Sequence, residues 1–371
     1  MSNPPNPPRS RAAFVSVVPS PYQRDVFDAL AQRRRLSFRV HYLEHAAPDS
    51  PWPVEPLREW ESVLPGATLG RARWRSHVNW RMPAPASADV WIVNAAMTDF
   101  TTQRFIRRLG SRTPWCFWGE LPSAATSGWR RWVQARQYAP LRRARAIVAV
   151  GERARAAYLR LVPGVPAFNQ PYACRLDAFA AAAAQCRENA EPVFLFCGQM
   201  IARKGIDILL RAFASLIAEK IPARLELVGR EAQLPEFIGS IAPAARERIS
   251  YLGFKPPSEL PAIFARADVF VLPSRHDGWG VVVNQALGAR LPVICSDAVG
   301  AAHDLLQHEK NGLVVPAGDA SALARAMRRL AASLELRRAY ATAAGDGASE
   351  LEPERAAEFW ESLVQKIASS A

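Results

Sequence analysis

Two stretches of this chain combine residue types that can hold a phosphorylated ligand. The first, Gly198-Gln199-Met200-Ile201-Ala202-Arg203-Lys204-Gly205, follows an apolar run and precedes a helical pattern. Two adjacent cations in a strand-to-helix loop can reach the oxygens of a diphosphate, Lys204 as a compact charge and Arg203 as a bidentate fork. Taken alone, an Arg-Lys pair ahead of a helix also has a plainer reading, a solvated pair. The second stretch is Pro273-Ser274-Arg275-His276-Asp277-Gly278-Trp279-Gly280-Val281-Val282-Val283-Asn284-Gln285-Ala286. It runs from a strand end through a glycine turn into a helix. Its glycines let a ligand approach the backbone, and the free N–H groups at the helix start suit a phosphate. Asp277 can accept hydrogen bonds from sugar hydroxyls, or serve as the cap of the helix. Gln285, expected two turns into that helix, can bond a ribose. There is no GxxxxGK[ST] loop and no GxGxxG after the first strand, which argues against an ATPase or a dinucleotide dehydrogenase.

The elements around these stretches alternate throughout. In the first half, apolar runs at 14–18, 38–43, 90–94, 115–118 and 147–150 read as buried parallel strands, with helical periods at 23–34 and 101–109. A Pro/Gly-rich patch at 162–171 interrupts the pattern, and an Ala-rich helix at 177–186 and a turn at 189–192 follow. The second half starts again with strands at 193–197, 224–228, 249–254, 269–272, 293–296 and 313–315. Helices are expected at 206–219, 258–266, 282–289 and 321–330. Such βαβ succession predicts an α/β chain of two Rossmann-like, doubly wound domains facing across a cleft, with ligands beyond the carboxyl ends of the strands. The expected domains are residues 1–175 and 190–351. A last helix, carrying Phe359, Trp360, Leu363 and Val364 on one stripe, is expected to pack within 352–371 back on the first domain.

An ordered set of residues from about 193 to 320 resembles one known family. It comprises Gly198…Arg203-Lys204-Gly205, Val228-Gly229, Leu252-Gly253-Phe254, Pro273-Ser274…Asp277-Gly278-Trp279-Gly280…Gln285-Ala286-Leu287-Gly288, Leu291-Pro292-Val293 and Asn311-Gly312. Together these resemble the retaining GT-B glycosyltransferases of family 4 (glycosyl transferases group 1), and Pro19-Ser20-Pro21-Tyr22-Gln23 looks like that family's first acceptor-side loop. The resemblance implies a GT-B fold, no required metal or cofactor, and a UDP- or GDP-sugar donor. It places Arg203 and Lys204 at the donor diphosphate. Gly198, Gly229, Phe254, Gly278, Trp279, Gly280, Val281 and Gln285 become its donor-binding positions. In such enzymes the first member of an acid-x7-acid pair contacts the transferred sugar and the second the ribose. Here the first is Asp277, one methylene shorter than the usual Glu. The second is Gln285, an amide that can accept a ribose hydrogen bond without charge assistance. Where many relatives carry a His, this chain has Trp118-Gly119-Glu120, so that Glu120 either takes the sugar contact or caps the following loop.

Composition sets the outer bounds. At 371 residues, 49% hydrophobic and 22% charged, the chain suits two globular α/β domains, and no apolar run approaches the roughly 20 residues that span a bilayer. Arg9 and Arg11 precede a short apolar stretch that reads as a first strand after a Pro-rich leader rather than a signal peptide. Five scattered cysteines without a CxxC pair point to a reducing, cytoplasmic setting and to no metal site. The net charge of +13 is lopsided, because residues 1–175 hold 26 Arg against 11 acidic residues while the remainder is nearly balanced. Such a field favours an anionic partner. Residues 128–145 mix Arg with Trp129 and Trp132, which is consistent with a helix lying on an anionic membrane surface or with core Trp residues flanked by solvated Arg. Related membrane-associated glycosyltransferases carry a basic N-terminal face. The expected acceptor is therefore a lipid-linked or polysaccharide hydroxyl in cell-surface glycan synthesis, on the inner membrane face. A soluble small-molecule acceptor and a non-catalytic sugar-nucleotide binder are the alternatives. No nucleic-acid-binding module is recognisable, so nucleic acid is not an expected partner.

Overall fold

The structure is a computed structural model that describes residues 10–47, 54–70, 75–122, 127–185 and 189–370. The chain divides into two compact units, Met1–Pro171 with Pro353–Ala371, and Tyr172–Glu352.

In the first unit, β1 (Arg11–Ser16), α1 (Pro21–Arg33), β2 (Ser37–Tyr42), β3 (Glu61–Val63), β4 (Gly66–Leu69) and β5 (Ser76–Asn79) come first. They are followed by β6 (Val90–Asn94), α2 (Phe100–Leu109), β7 (Trp115–Gly119), α3 (Gly128–Tyr138), β8 (Ala146–Ala149), α4 (Glu152–Leu161) and β9 (Ala167–Asn169). Among the described residues the main sheet has seven strands in the order β3-β2-β1-β6-β7-β8-β9, all parallel. Strands β6, β7 and β8 are buried along almost their whole length, as expected where helices cover both faces of a parallel sheet. Strand order reverses between β1 and β6, and the carboxyl ends of those strands carry Ser16 and Asn94.

Three parts of this unit depart from the expected pattern. β3 is a three-residue edge strand, β4 and β5 form a separate antiparallel hairpin, and β9 lies inside the Pro/Gly patch read as an interruption. Each is short and partly polar, so none produces an apolar run. β3 and β9 pair with neighbours about 20 residues away, as between Ile147 and Ala167, while among the described residues β4 and β5 pair only with each other.

The second unit holds α5 (Asp177–Ala183), β10 (Val193–Cys197), α6 (Ile206–Ala218), β11 (Arg224–Val228), α7 (Leu234–Ile238), α8 (Pro243–Arg246), β12 (Ile249–Tyr251), α9 (Leu260–Ala265) and β13 (Val269–Leu272). The rest of it is α10 (Val282–Gly288), β14 (Val293–Ser296), α11 (Gly300–Asp304), β15 (Gly312–Val315), α12 (Ala320–Ala332) and α13 (Leu334–Asp346). Its described sheet is parallel and six-stranded, in the order β12-β11-β10-β13-β14-β15. The reversal falls between β10 and β13, the two strands that lead into the candidate stretches.

The final helix, α14 (Pro353–Ser369), belongs to the first unit. The Trp360 ring meets Phe14 edge-on at 5.6 Å and Trp118 at 5.0 Å, and Arg33 on α1 pairs with Glu361 at 3.0 Å. Aromatic pairs of this kind each add roughly 0.5–1.5 kcal/mol beyond the area they bury. Four cysteines are buried, and Cys186, like the leader before residue 10, lies outside the described residues.

Candidate functional site

Both sequence stretches emerge at the strand-order reversal of the second unit. β10 leads into a single 3-10 turn, Ala202–Lys204, which ends at Gly205, the residue before α6. Gly205 has φ +75°, and a Cβ there would lie 2.0 Å from the carbonyl oxygen of Pro273. The chain can therefore lay this turn against the end of β13 only because residue 205 lacks a side chain.

Three consecutive residues after β13 then engage the turn. The Arg275 N–H donates to the Arg203 carbonyl at 2.8 Å, and the Arg203 guanidinium donates to the His276 carbonyl at 3.1 Å. The Lys204 ammonium donates to Asp277 Oδ2 at 2.5 Å. The Arg275 guanidinium reaches back to the Ala202 carbonyl at 2.5 Å and holds the Asp207 carboxylate with both terminal nitrogens, at 2.6 and 2.7 Å. Arg203, Lys204 and Asp277, separated by more than 70 residues in sequence, thus form one constellation.

Two sequence expectations need correction here. Asp277 does not cap α10, which begins five residues later behind Val281 and has no side-chain cap. Its backbone N–H instead donates to Ala298 and its carbonyl accepts from Gly300, pinning it beside β14. Gln285 lies in the first turn of α10 rather than two turns in, because the helix starts at Val282. Its Oε1 is buried with no hydrogen-bond partner in the structure. A buried acceptor without a partner is costly, and a ligand donor at that atom would satisfy it.

The other expected donor positions fall around this core in different ways. Trp279 is 1% exposed, donates its indole N–H to Asn284 at 3.0 Å and accepts the Ala301 N–H at its carbonyl, so its side chain is a buried support of the turn. Asn284 in turn donates to the Tyr172 carbonyl, which fixes the start of α10. Gly280 has φ +90°, and a Cβ on Gly300 would lie 2.3 Å from the Gly278 carbonyl oxygen, so the two glycines let the turn lie against the start of α11. Val281 is half-buried. Gly198 donates to Val228, and Gly229 donates to the Gly253 carbonyl, so both lie at the carboxyl ends of neighbouring strands. Phe254 is 43% exposed just beyond them.

Two of the cations at the site are paired with carboxylates, Lys204 with Asp277 and Arg275 with Asp207, while the Arg203 guanidinium meets a backbone carbonyl. Arg275 holds the Asp207 carboxyl below the ordinary carboxylate range, mainly through its hydrogen bonds. Burial pushes the Cys197 thiol up to about 12 and the Cys295 thiol well above its ordinary range, so neither is a thiolate nucleophile near neutral pH. Among the described residues no group of three or more His, Cys, Asp or Glu is placed to hold a metal ion.

In the first unit Glu120 follows β7 on an exposed loop, and its carbonyl accepts from the Tyr158 hydroxyl at 2.8 Å. Nearby, Ser16, Gln23 and Asn94 form a polar knot not foreseen from sequence. Gln23 Nε2 donates to Asn94 Oδ1 at 2.6 Å, the Ser16 hydroxyl donates to Gln23 Oε1 at 2.9 Å, and Asn94 Nδ2 donates to the Trp118 carbonyl at 2.8 Å. The knot ties together the carboxyl ends of β1, β6 and β7, the last at Trp118, two residues before Glu120. Only Gln23, at the end of the Pro-Ser-Pro-Tyr-Gln loop, carried a sequence signal.

The reading of Trp129 and Trp132 as core is overturned. They are 66% and 60% exposed, with the guanidinium groups of Arg130 and Arg136 over their rings, and α3 buries none of its residues. Among the described residues no helix is long and apolar enough to cross a membrane.

Comparison with known proteins gives a family match within this second unit. Residues 191–333 match the family model of glycosyl transferases group 1. A GDP-mannose-dependent alpha-(1-6)-phosphatidylinositol monomannoside mannosyltransferase of Mycobacterium tuberculosis is 31% identical over 191 residues, 49% of this chain and 48% of that protein. The chain spans less than half the length of the curated relatives it matches first. Sucrose-phosphate synthase from Thermosynechococcus elongatus superposes with a TM-score of 0.73 at 20% identity, covering 98% of this chain and all of that one. The Anabaena protein HepE in complex with UDP gives a TM-score of 0.71 at 16% identity, covering 97% of this chain and all of that one. The fold is therefore GT-B.

Proposed function

We propose that this chain, whose residues 191–333 carry the glycosyl transferases group 1 segment, transfers a hexosyl group from a UDP- or GDP-sugar to an acceptor hydroxyl with retention of configuration. The observation that carries this reading is the convergence of Arg203, Lys204 and Asp277 at the sheet's reversal point, beside the unpartnered Gln285 Oε1. The anomeric carbon–oxygen bond breaks with its electron pair leaving on the diphosphate, and the acceptor oxygen bonds to that carbon on the same face. The acceptor's proton passes to the departing phosphate oxygen. Arg203 and Lys204 stabilise the charge that grows on the diphosphate, preorganised by the loop that holds them. Asp277 positions the sugar and Gln285 the ribose, while Glu120 serves the acceptor unit. That a relative is named for GDP-mannose and a structural neighbour holds UDP makes GDP-mannose and UDP-glucose the first donors to try.

The exposed α3 supports an acceptor on an anionic membrane surface, a lipid-linked or polysaccharide glycan, with the enzyme peripheral on the cytoplasmic face. The donor assignment is tested by incubating the chain with these sugar nucleotides and an extract of lipid-linked glycans and measuring nucleoside diphosphate release. Lys204→Ala is expected to reduce transfer by about 10²–10³ with the fold intact. Turnover at the wild-type rate by a folded Lys204→Ala protein would sink the assignment. Nucleotide binding with neither transfer nor hydrolysis would instead mark a non-catalytic relative.

A further inference from the structure

Arg275 is the residue of the second stretch with the most side-chain hydrogen bonds, and all of those go to the neighbouring loop and helix. Its guanidinium spans two pieces of chain, the Ala202 carbonyl at the start of the 3-10 turn and the Asp207 carboxylate in the first turn of α6. Its backbone N–H also holds the Arg203 carbonyl, between those two points. One residue therefore anchors the turn before, at and after the two cations. A second arginine touches the same carboxylate: Arg211 reaches Asp207 at 3.2 Å, but only along α6 itself and with its side chain 58% exposed. The pairs differ in what they connect. Arg211 joins a helix to itself, whereas Arg275 joins the end of β13 to the loop carrying Arg203 and Lys204.

We propose that Arg275 is a positioning residue for donor binding: it clamps residues 202–207 so that Arg203 and Lys204 meet a diphosphate already in place. The inference rests on the donor-site reading above. Its planar fork suits the task, because a bidentate carboxylate bond fixes orientation as well as distance. Engaged this way, its charge is matched by Asp207 and does not add a third cation to the site. Without it, the loop samples other arrangements, and a bare Asp207 carboxylate competes for Lys204 and Arg203.

The test measures UDP and GDP binding by titration calorimetry and donor KM and kcat for the wild-type chain, Arg275→Gln, Arg275→Lys and Arg211→Gln. Arg275→Gln is expected to weaken the bound diphosphate about tenfold and to raise donor KM similarly, with kcat changed less. Arg275→Lys, which keeps one bond and the charge, recovers part of that loss, and Arg211→Gln matches wild type. A role confined to holding the fold would lower thermal stability without moving KM in the folded fraction. Should Arg275→Gln not fold, Asp207→Asn releases the same clamp from its other end and is expected to raise KM alike. Wild-type affinity and KM in folded Arg275→Gln overturn this inference alone. Absence of UDP and GDP binding to the wild-type chain overturns the donor-site reading beneath it.

Discussion

Gly205 and Gly318 have nearly the same backbone, φ +75° and +87°, in the same unit, and differ in what surrounds them. A methyl group at Gly205 meets the Pro273 carbonyl at 2.0 Å, while one at Gly318 meets nothing within 4 Å. The left-handed conformation alone costs a side chain about 1–2 kcal/mol. Gly318→Ala is expected to cost about that, whereas Gly205→Ala must also move the 3-10 turn from Pro273 and should cost about 2–5 kcal/mol, as overpacking typically adds about 1–3. Urea denaturation of both variants checks the contrast, and equal losses would contradict it. Residue types and their place after a strand were enough to single out Arg203, Lys204 and Asp277 in the sequence. What they touch was not readable, because Lys204 and Asp277 lie 73 residues apart and Arg275 and Asp207 lie 68 apart. The start of α10 was legible as the end of the glycine turn, and a helix beginning at Val282 puts Gln285 in its first turn rather than two turns in.

The interior strands were visible as apolar runs because both their faces are buried; β3, β5 and β9 were not, since edges need polar residues and close only through tertiary pairing. The hairpin strand β5 nevertheless organises α2. Asp99 caps that helix by accepting from the Thr102 N–H at 2.9 Å, and also accepts the His77 backbone N–H at 2.6 Å and its ring Nδ1 at 2.8 Å. The other ring nitrogen of His77 faces Glu44 at 3.2 Å, and Arg75 binds that same carboxylate at 2.7 Å. Burial opposes a charged His77, but the hydrogen bonds and charges of Asp99 and Glu44 outweigh it, so its pKa stands above the ordinary 6.5. Burial likewise opposes the Asp99 carboxylate, yet His77 and the backbone donors leave its pKa below 3.8. The His77 contribution is then complete below about pH 6.5 and disappears as pH rises through the raised value, while that of Asp99 is complete above about pH 4 and fails as pH falls through the lowered one. The pair itself should contribute most between those limits. His77→Gln is expected to cost about 1–3 kcal/mol near pH 5.5 and progressively less toward pH 9. Denaturation midpoints across that range decide the matter; a penalty independent of pH would mean that His77 acts through packing alone.

The charge of the chain is a property of one half, with 26 Arg against 11 acidic residues before position 176. Composition could show that imbalance but could not say whether the Trp residues beside it were buried. Trp129 and Trp132 are not, and the helix that carries them has no acidic residue and buries nothing. Only the far end of this helix packs, where Tyr138 meets Tyr158 at 6.1 Å, so the two exposed tryptophan rings add little to their own unit and remain open to something outside that covers them. An anionic bilayer surface matches both features at once. Indole rings sit at the headgroup level, and each Arg near the surface adds about 1 kcal/mol that salt screens. The chain is therefore expected to float with vesicles containing phosphatidylglycerol at low salt, to stay behind with phosphatidylcholine alone, and to be released by about 0.5 M salt, where screening is strong. A Trp129→Ala/Trp132→Ala double variant should lose most of this binding while melting at the wild-type temperature, since neither ring supports the core. Arg130→Gln/Arg131→Gln should instead weaken the salt-sensitive part. Failure of the wild-type chain to float at low salt removes the membrane from the proposal and leaves the donor site untouched, because that site is built wholly from residues of the second unit.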